Sequence, residues 1–439
     1  MTGSQGDPAP PGLVSLRTDI AAFAGLTGWG YFPVAFVGRV PFAMMIIGVL
    51  TMIATVRESV AEAGVAAACA GIGTAVLGPS IGWLADRFGE RTVLLMVSVM
   101  SIATVGLFLA LVLAGAHFIL IAVVAGLLGG TTPQVSPFSR ARLAGIAARP
   151  RSVQRRTRAV SVVMSYESAM DEASFVIGPV LVGLLTAFFA PWAPLALGAM
   201  LTAFVVVAFA LHPTARRMPA AESGRIASTA PTAPRGGTAT LADGRVLTGR
   251  ILVLSTAMAL VGAIFGTILT ALTEFMRTMD AGEQTGIVYG AMSAGAILSA
   301  IVIVAIPPRV TLEARWIVFA GMSTVGAVAL ACVTNLPWAV GALFLCGCGV
   351  GASLVTLFSL GAAASPVGRS ATVMTMLQSS LVVGQAVAAA VGGFIVQGFG
   401  SSVGFWTTAI FALALVVVAV LHSALVGTPR GAVGVAEGA

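Results

Sequence analysis

The chain has 439 residues, 58% of them hydrophobic and only 9% charged, where an ordinary soluble domain carries about 25% charged residues. With a mean hydropathy of +1.02, so much apolar surface cannot be hidden in one water-facing core, which excludes a soluble domain and makes lipid the solvent. The formal charge of +7 then reads as membrane topology and attraction to anionic lipid heads rather than as a nucleic-acid surface.

Residues 1–12 are rich in Pro and Gly and lack both a basic cluster and an apolar run, so no cleavable signal peptide is expected. Residues 13–30 are mildly amphipathic and suit the inner membrane surface, which sets 1–32 apart as a cytoplasmic or interfacial segment. Runs long enough to span, about 20 residues each, follow at 33–56, 63–84, 91–112, 118–139, 160–186 and 192–212. The Pro-, Thr-, Gly- and Arg-rich stretch 213–249 predicts a cytoplasmic linker. Six more runs follow at 251–275, 284–306, 315–333, 337–361, 371–396 and 403–426. The expected fold class is therefore an all-α membrane protein. Its twelve transmembrane helices form two six-helix bundles, 33–212 and 250–426, with a tail at 427–439.

Arginine sets the orientation. With the N-terminus inside, 20 of the 23 basic residues, all of them Arg, fall in cytoplasmic segments. Arg57 and Arg277 fall outside, and Arg39 lies within helix 1. Both termini are thus expected in the cytoplasm. Trp83 and Trp316 are expected at the inner membrane boundary, and Trp192, Trp338 and Trp406 at the outer one. Cys69, Cys332, Cys346 and Cys348 all lie in predicted helices and read as packing residues, so neither a metal nor a redox pair is expected.

Arg39 sits roughly 9 Å into helix 1. It can snorkel to the inner surface or bond to an acid at similar depth. Between helices 2 and 3 stands a short charged turn, Gly82-Trp83-Leu84-Ala85-Asp86-Arg87-Phe88-Gly89-Glu90-Arg91. It resembles the helix 2–3 loop of major facilitator superfamily transporters, G-x-L-A-D-R-x-G-R-[KR]. Glu90 replaces the first of the two basic positions. The resemblance implies a cytoplasmic gate built on Gly82, Asp86, Arg87, Gly89 and Arg91. The Asp would pair with an Arg and a helix N-terminus when the protein faces outward. It also implies two parallel six-helix repeats, no cofactor, and transport of a small molecule by alternating access. The second copy of the turn, Pro307 to Arg315, has lost its Asp.

Helix 4 is read as ending near Ser139, with Arg140 at the cytoplasmic edge. Helix 5 carries the densest polar run of any span, Tyr166-Glu167-Ser168-Ala169-Met170-Asp171-Glu172. Glu167 lies roughly 10 Å deep, and Asp171 and Glu172 roughly 17 Å. Each intramembrane carboxylate costs at least about 2.5 kcal/mol on insertion scales. The three must face a wet cavity, be protonated, or be paired. Glu167 and Asp171 share a face and Glu172 points about 100° away. Two readings stand: proton coupling by at least one of them, or structural neutralisation of a buried Arg such as Arg39 by Glu167 or Asp171. Crowding by Glu167 places Asp171 slightly ahead of Glu172 as the coupling group.

Gly178-Pro179 with Gly183 partly resembles the helix 5 motif of drug–proton antiporters, G-x-x-x-G-P-x-x-G-G, and implies a hinge at the interface of the halves. Gln134, Tyr166, Tyr289, Gln378 and Gln385 are the polar candidates for a substrate cavity. Glu274, with Arg277 one turn on, is the remaining acid of interest. No Walker loop and no enzyme constellation is visible. The expected protein is a monomeric bacterial inner-membrane transporter whose partners are a small-molecule substrate, protons and lipid. Its expected action is proton-coupled export of an apolar or amphiphilic compound. Proton-coupled uptake of a polar metabolite such as a sugar or organic acid, or a non-transporting sensor on the same fold, are the alternatives.

Overall fold

The computed structural model describes residue 25 and residues 27–147, 153–217, 248–279, 285–307, 310–366 and 368–427. The expected segment 1–24, most of the linker (218–247) and the tail 428–439 lie outside the described residues.

Every regular element described is helical. The first half holds α1 (Tyr31–Val56), α2 (Glu62–Phe88), α3 (Glu90–Leu113), α4 (Phe118–Ala147), α5 (Ala159–Phe188) and α6 (Ala193–Leu211). The second holds α7 (Gly249–Thr278), α8 (Ile287–Ala305), α9 (Leu312–Ala331) and α10 (Leu336–Ala364). A last helical run, Ser370–Gly427, is broken at Gly400, whose φ of 83° only glycine adopts readily. It is therefore two spans, α11 (370–399) and α12 (401–427). With α12 the described residues give twelve spans, each long and apolar enough to cross a bilayer.

Without a hydrophobic drive between helices in lipid, association rests on close packing over small residues. Both halves use the same device at the same place. Gly129 of α4 lies on the Ala70 carbonyl of α2, and Gly347 of α10 lies on the Met292 carbonyl of α8. The halves meet along α2–α11, α5–α8, α5–α10 and α4–α11. Large apolar side chains such as Val99, Phe188, Phe204, Phe394 and Ile410 turn outward on the lipid face.

Two expectations about the ends of spans change. α4 continues to Ala147, eight residues past its expected end, because its last two turns pack against α5 and α11 rather than emerging. Trp316 is fully buried against the His422 ring of α12, centroids 5.6 Å apart, so it belongs to the second half's core and not to an interfacial belt. Trp83, Trp192, Trp338 and Trp406 are exposed.

Candidate functional site

Two interrupted helices build the centre of the first half. In α1, Pro41 supplies no amide to Val37, and the Arg39 amide bonds back to Phe36 at 3.1 Å instead of to Ala35. The Ala35 carbonyl left over accepts from the Arg39 side chain itself, 3.0 Å. The rest of that guanidinium reaches α5: it donates to Glu167 and, at 2.9 Å, to Asp171 Oδ1. Arg39 is 3% exposed, so it does not snorkel.

In α4 the helix stops at Thr131, and Thr132 turns extended (φ −67°, ψ 120°), as a residue before proline prefers. It resumes at Val135. That second segment carries Arg140, which is 1% exposed and not at the membrane edge. Its guanidinium donates to Asp171 Oδ2 at 2.6 Å and to Ser136 Oγ at 2.9 Å. It also crosses to the second half, reaching Gln378 Oε1 of α11 at 3.3 Å and lying over the Phe358 ring of α10 at 3.5 Å. Reading hydropathy alone ends the helix at the first arginine. The signal that could have placed Arg140 inside was the helix 5 acids, which outnumber Arg39.

Asp171 is thus held between two guanidinium groups, with Ser136 donating a third bond at 2.7 Å. Glu167 is held by Arg39 and by Ser139, 2.7 Å, whose hydroxyl also meets Tyr31 at 2.8 Å. Two arginines and two carboxylates balance. Glu172 is the fifth charged residue: 5% exposed, with no hydrogen bond or ion pair to any described residue. Tyr289 of α8 stands within its electrostatic reach. All five charged groups of this cluster come from α1, α4 and α5; the second half contributes the Phe358 ring, the Gln378 amide and the Tyr289 hydroxyl.

Beside this network lies a small pocket of about 20 Å³, room for about one water molecule. Phe42, Val135, Pro137 and Phe175 give it apolar walls, and Gln134 and Gln378 give it amides. Gln134 is 7% exposed and its Oε1 has no hydrogen-bond partner. The other cavity candidates sit elsewhere. Tyr166 stacks edge-on against Phe32, centroids 5.2 Å apart. Gln385 lies on α11 against Gly262 and Gly266 of α7. Gly178 meets Ala43 of α1, inside the first half rather than between the halves, and Gly183 faces open space. α5 remains one helix through Pro179. Glu274 pairs with Arg277 at 2.7 Å on an exposed surface.

At the Arg-rich end the α2–α3 turn closes against α11. The first amides of a helix have no intrahelical acceptor, and Asp86 supplies one: Ala371 N donates at 3.1 Å, Thr372 N at 2.8 Å and Thr372 Oγ1 at 2.6 Å. A Cβ at Gly82 would strike Thr375 and the Ala371 carbonyl, so only glycine permits this approach. Arg87 lies against the Trp83 and Phe88 rings, beside an open cleft shared with Arg369. Gly89 takes φ 90° at the turn, and Arg91 is half-buried in the first turn of α3. Glu90, the departure from the motif, pairs with buried Arg142 of α4. Arg142 also donates to the Phe209 carbonyl at 3.2 Å and to Thr214 at 2.9 Å, tying α3, α4 and the end of α6 together.

Among the described residues no cluster of His, Cys, Asp and Glu could hold a metal, and the four cysteines are free thiols.

The family model described as Major Facilitator Superfamily matches residues 31–380. No curated protein matches the chain. Among solved structures, a bacterial homologue of the iron transporter ferroportin in an outward-facing state is similar at 17% identity and TM-score 0.67, over 90% of this chain and 98% of that one. The human organic anion transporter MFSD10 (TETRAN) is similar at 15% identity and TM-score 0.62, over 88% and 98%. The proton:xylose symporter XylE is similar at 14% identity and TM-score 0.64, over 90% and 95%.

Proposed function

The chain belongs to the Major Facilitator Superfamily, a family of multi-pass secondary transporters, and on that premise we propose that it exports a small amphiphilic molecule in exchange for protons. The observation that carries the coupling is Glu172. It alone among the three α5 carboxyls can take or release a proton without breaking an ion pair or hydrogen bond. An ionised carboxylate buried without a cation is costly, so a group of this kind is kept for a task. The lining supports the substrate class: apolar walls with two amides, widened from a water-sized pocket as the halves separate, suit a molecule with a greasy body and one hydrogen-bonding group. The unmet Gln134 Oε1 favours a second reading, proton-coupled uptake of a polar metabolite.

The Arg-rich end is assigned to the cytoplasm of a bacterial inner membrane by the positive-inside rule. The α2–α3 turn is then the cytoplasmic gate, in its closed state. Counterflow in proteoliposomes against a chemical library, with a pH-sensitive dye inside, tests the proposal. Once counterflow has identified a substrate, its net flux down an imposed substrate gradient reads the coupling: proton movement opposite to the substrate supports export. Proton movement in the same direction supports uptake, and net flux without proton movement defeats coupling.

The gate makes its own prediction. Asp86 binds only across the closed interface, so replacing it shifts the population while each half keeps its internal packing. Asp86→Asn is expected to leave membrane expression unchanged and to cut transport by at least about tenfold, since the loss of even one of its three charge-assisted hydrogen bonds costs about 1.5 kcal/mol. Initial uptake rates in vesicles, normalised to protein, check it; a wild-type rate would remove the gate.

A further inference from the structure

Arg140 is bonded inside the first half and also touches the second, and its strongest partner across the boundary carries no charge. The guanidinium carbon stands 3.5 Å from the centroid of Phe358 on α10. Both side chains are 1% exposed. The contact with Gln378 on α11, 3.3 Å, is long for a hydrogen bond. A cation over an aromatic face gains most when both are desolvated. We propose that Phe358 is a positioning residue of the transport cycle: its ring holds Arg140 across the two halves and so keeps the cytoplasmic gate shut.

Other ionisable groups near that guanidinium are Asp171, Glu167, Arg39 and Glu172. The first two are saturated by partners, and Arg39 is a fixed cation. Glu172 is the variable one. Once ionised, it competes with the Phe358 ring for the same guanidinium, and the ring cannot answer with a charge of its own. Only this trigger rests on the coupling role proposed for Glu172; the latch itself rests on the Arg140–Phe358 geometry.

Gate opening can be read without labels. The Ala371 and Thr372 amides donate only to Asp86, so their hydrogen exchange reports separation of α2 from α11. Purified full-length protein in nanodiscs is the sample. Phe358→Leu is expected to speed exchange of these two amides about 30-fold, the scale of a desolvated cation–π interaction. Amides in the middle of α7, away from the gate, should keep wild-type protection. Mono-, di- and trifluorinated phenylalanine at 358 drain charge from the ring face with little change in shape. They are expected to give graded acceleration, which also decides the matter if Phe358→Leu fails to fold. Wild-type exchange in Phe358→Leu, or exchange that ignores fluorination, overturns the latch. If fluorination opens the gate while Glu172→Gln still concentrates substrate, the latch stands and the coupling role falls.

Discussion

Glu172→Gln is expected to abolish accumulation driven by a proton gradient while leaving substrate exchange at equal pH intact. One elementary charge moving through 100 mV supplies about 2.3 kcal/mol, roughly a 50-fold concentration ratio. That ratio should collapse to near one in the variant. Exchange at equal pH requires no net proton movement, and the neutral amide replaces a group that bonds to nothing described. The fold and the gate should therefore survive. Asp171→Asn is the contrasting variant. It leaves Arg39 and Arg140 each short of a carboxylate oxygen, so both exchange and accumulation should fall together. Accumulation by Glu172→Gln at the wild-type level would transfer the coupling role away from α5.

The second large effect concerns Arg39. Removing one partner of a buried ion pair costs about 3–5 kcal/mol, because the remaining charge is stranded. Arg39→Ala leaves Glu167 with only the Ser139 hydroxyl and removes one of the two arginines on Asp171. It also leaves the Ala35 carbonyl without its donor. Thermal unfolding in detergent should show a marked drop in the midpoint. Adding Glu167→Gln should recover part of it, since the amide still accepts from Ser139 without a stranded charge. Recovery stays incomplete while Asp171 keeps only Arg140. Strictly additive losses in the double variant would mean that Arg39 and Glu167 do not share energy.

The fold was largely legible in the sequence. Hydropathy runs placed each span, and the charged turn at Gly82–Arg91 pointed to the superfamily. Boundaries failed where the physics of a helix end was local. Arg140 looks like an edge residue in a hydropathy count, yet the carboxylate of Asp171 makes its burial favourable. Trp316 looks interfacial by position, yet its partner His422 is over a hundred residues away. The same limit governed the site. Crowding along α5 ranks Asp171 ahead of Glu172 as the coupling group. The second arginine on Asp171, on which the proposal for Glu172 rests, belongs to a helix whose register the sequence alone does not fix. Phe358 carries no mark at all in the sequence: it is one of 22 phenylalanines, told apart only by what lies over its ring.

The five charged groups of the site all belong to α1, α4 and α5, while α8, α10 and α11 face them with one hydroxyl, one ring and one amide. Such a partition shapes how the protein can change over generations. Substitutions in the first half disturb mutually dependent charges, so few are tolerated and those few must arrive in compensating pairs. The second half supplies no charge to the network, so it can vary one residue at a time without stranding a buried charge.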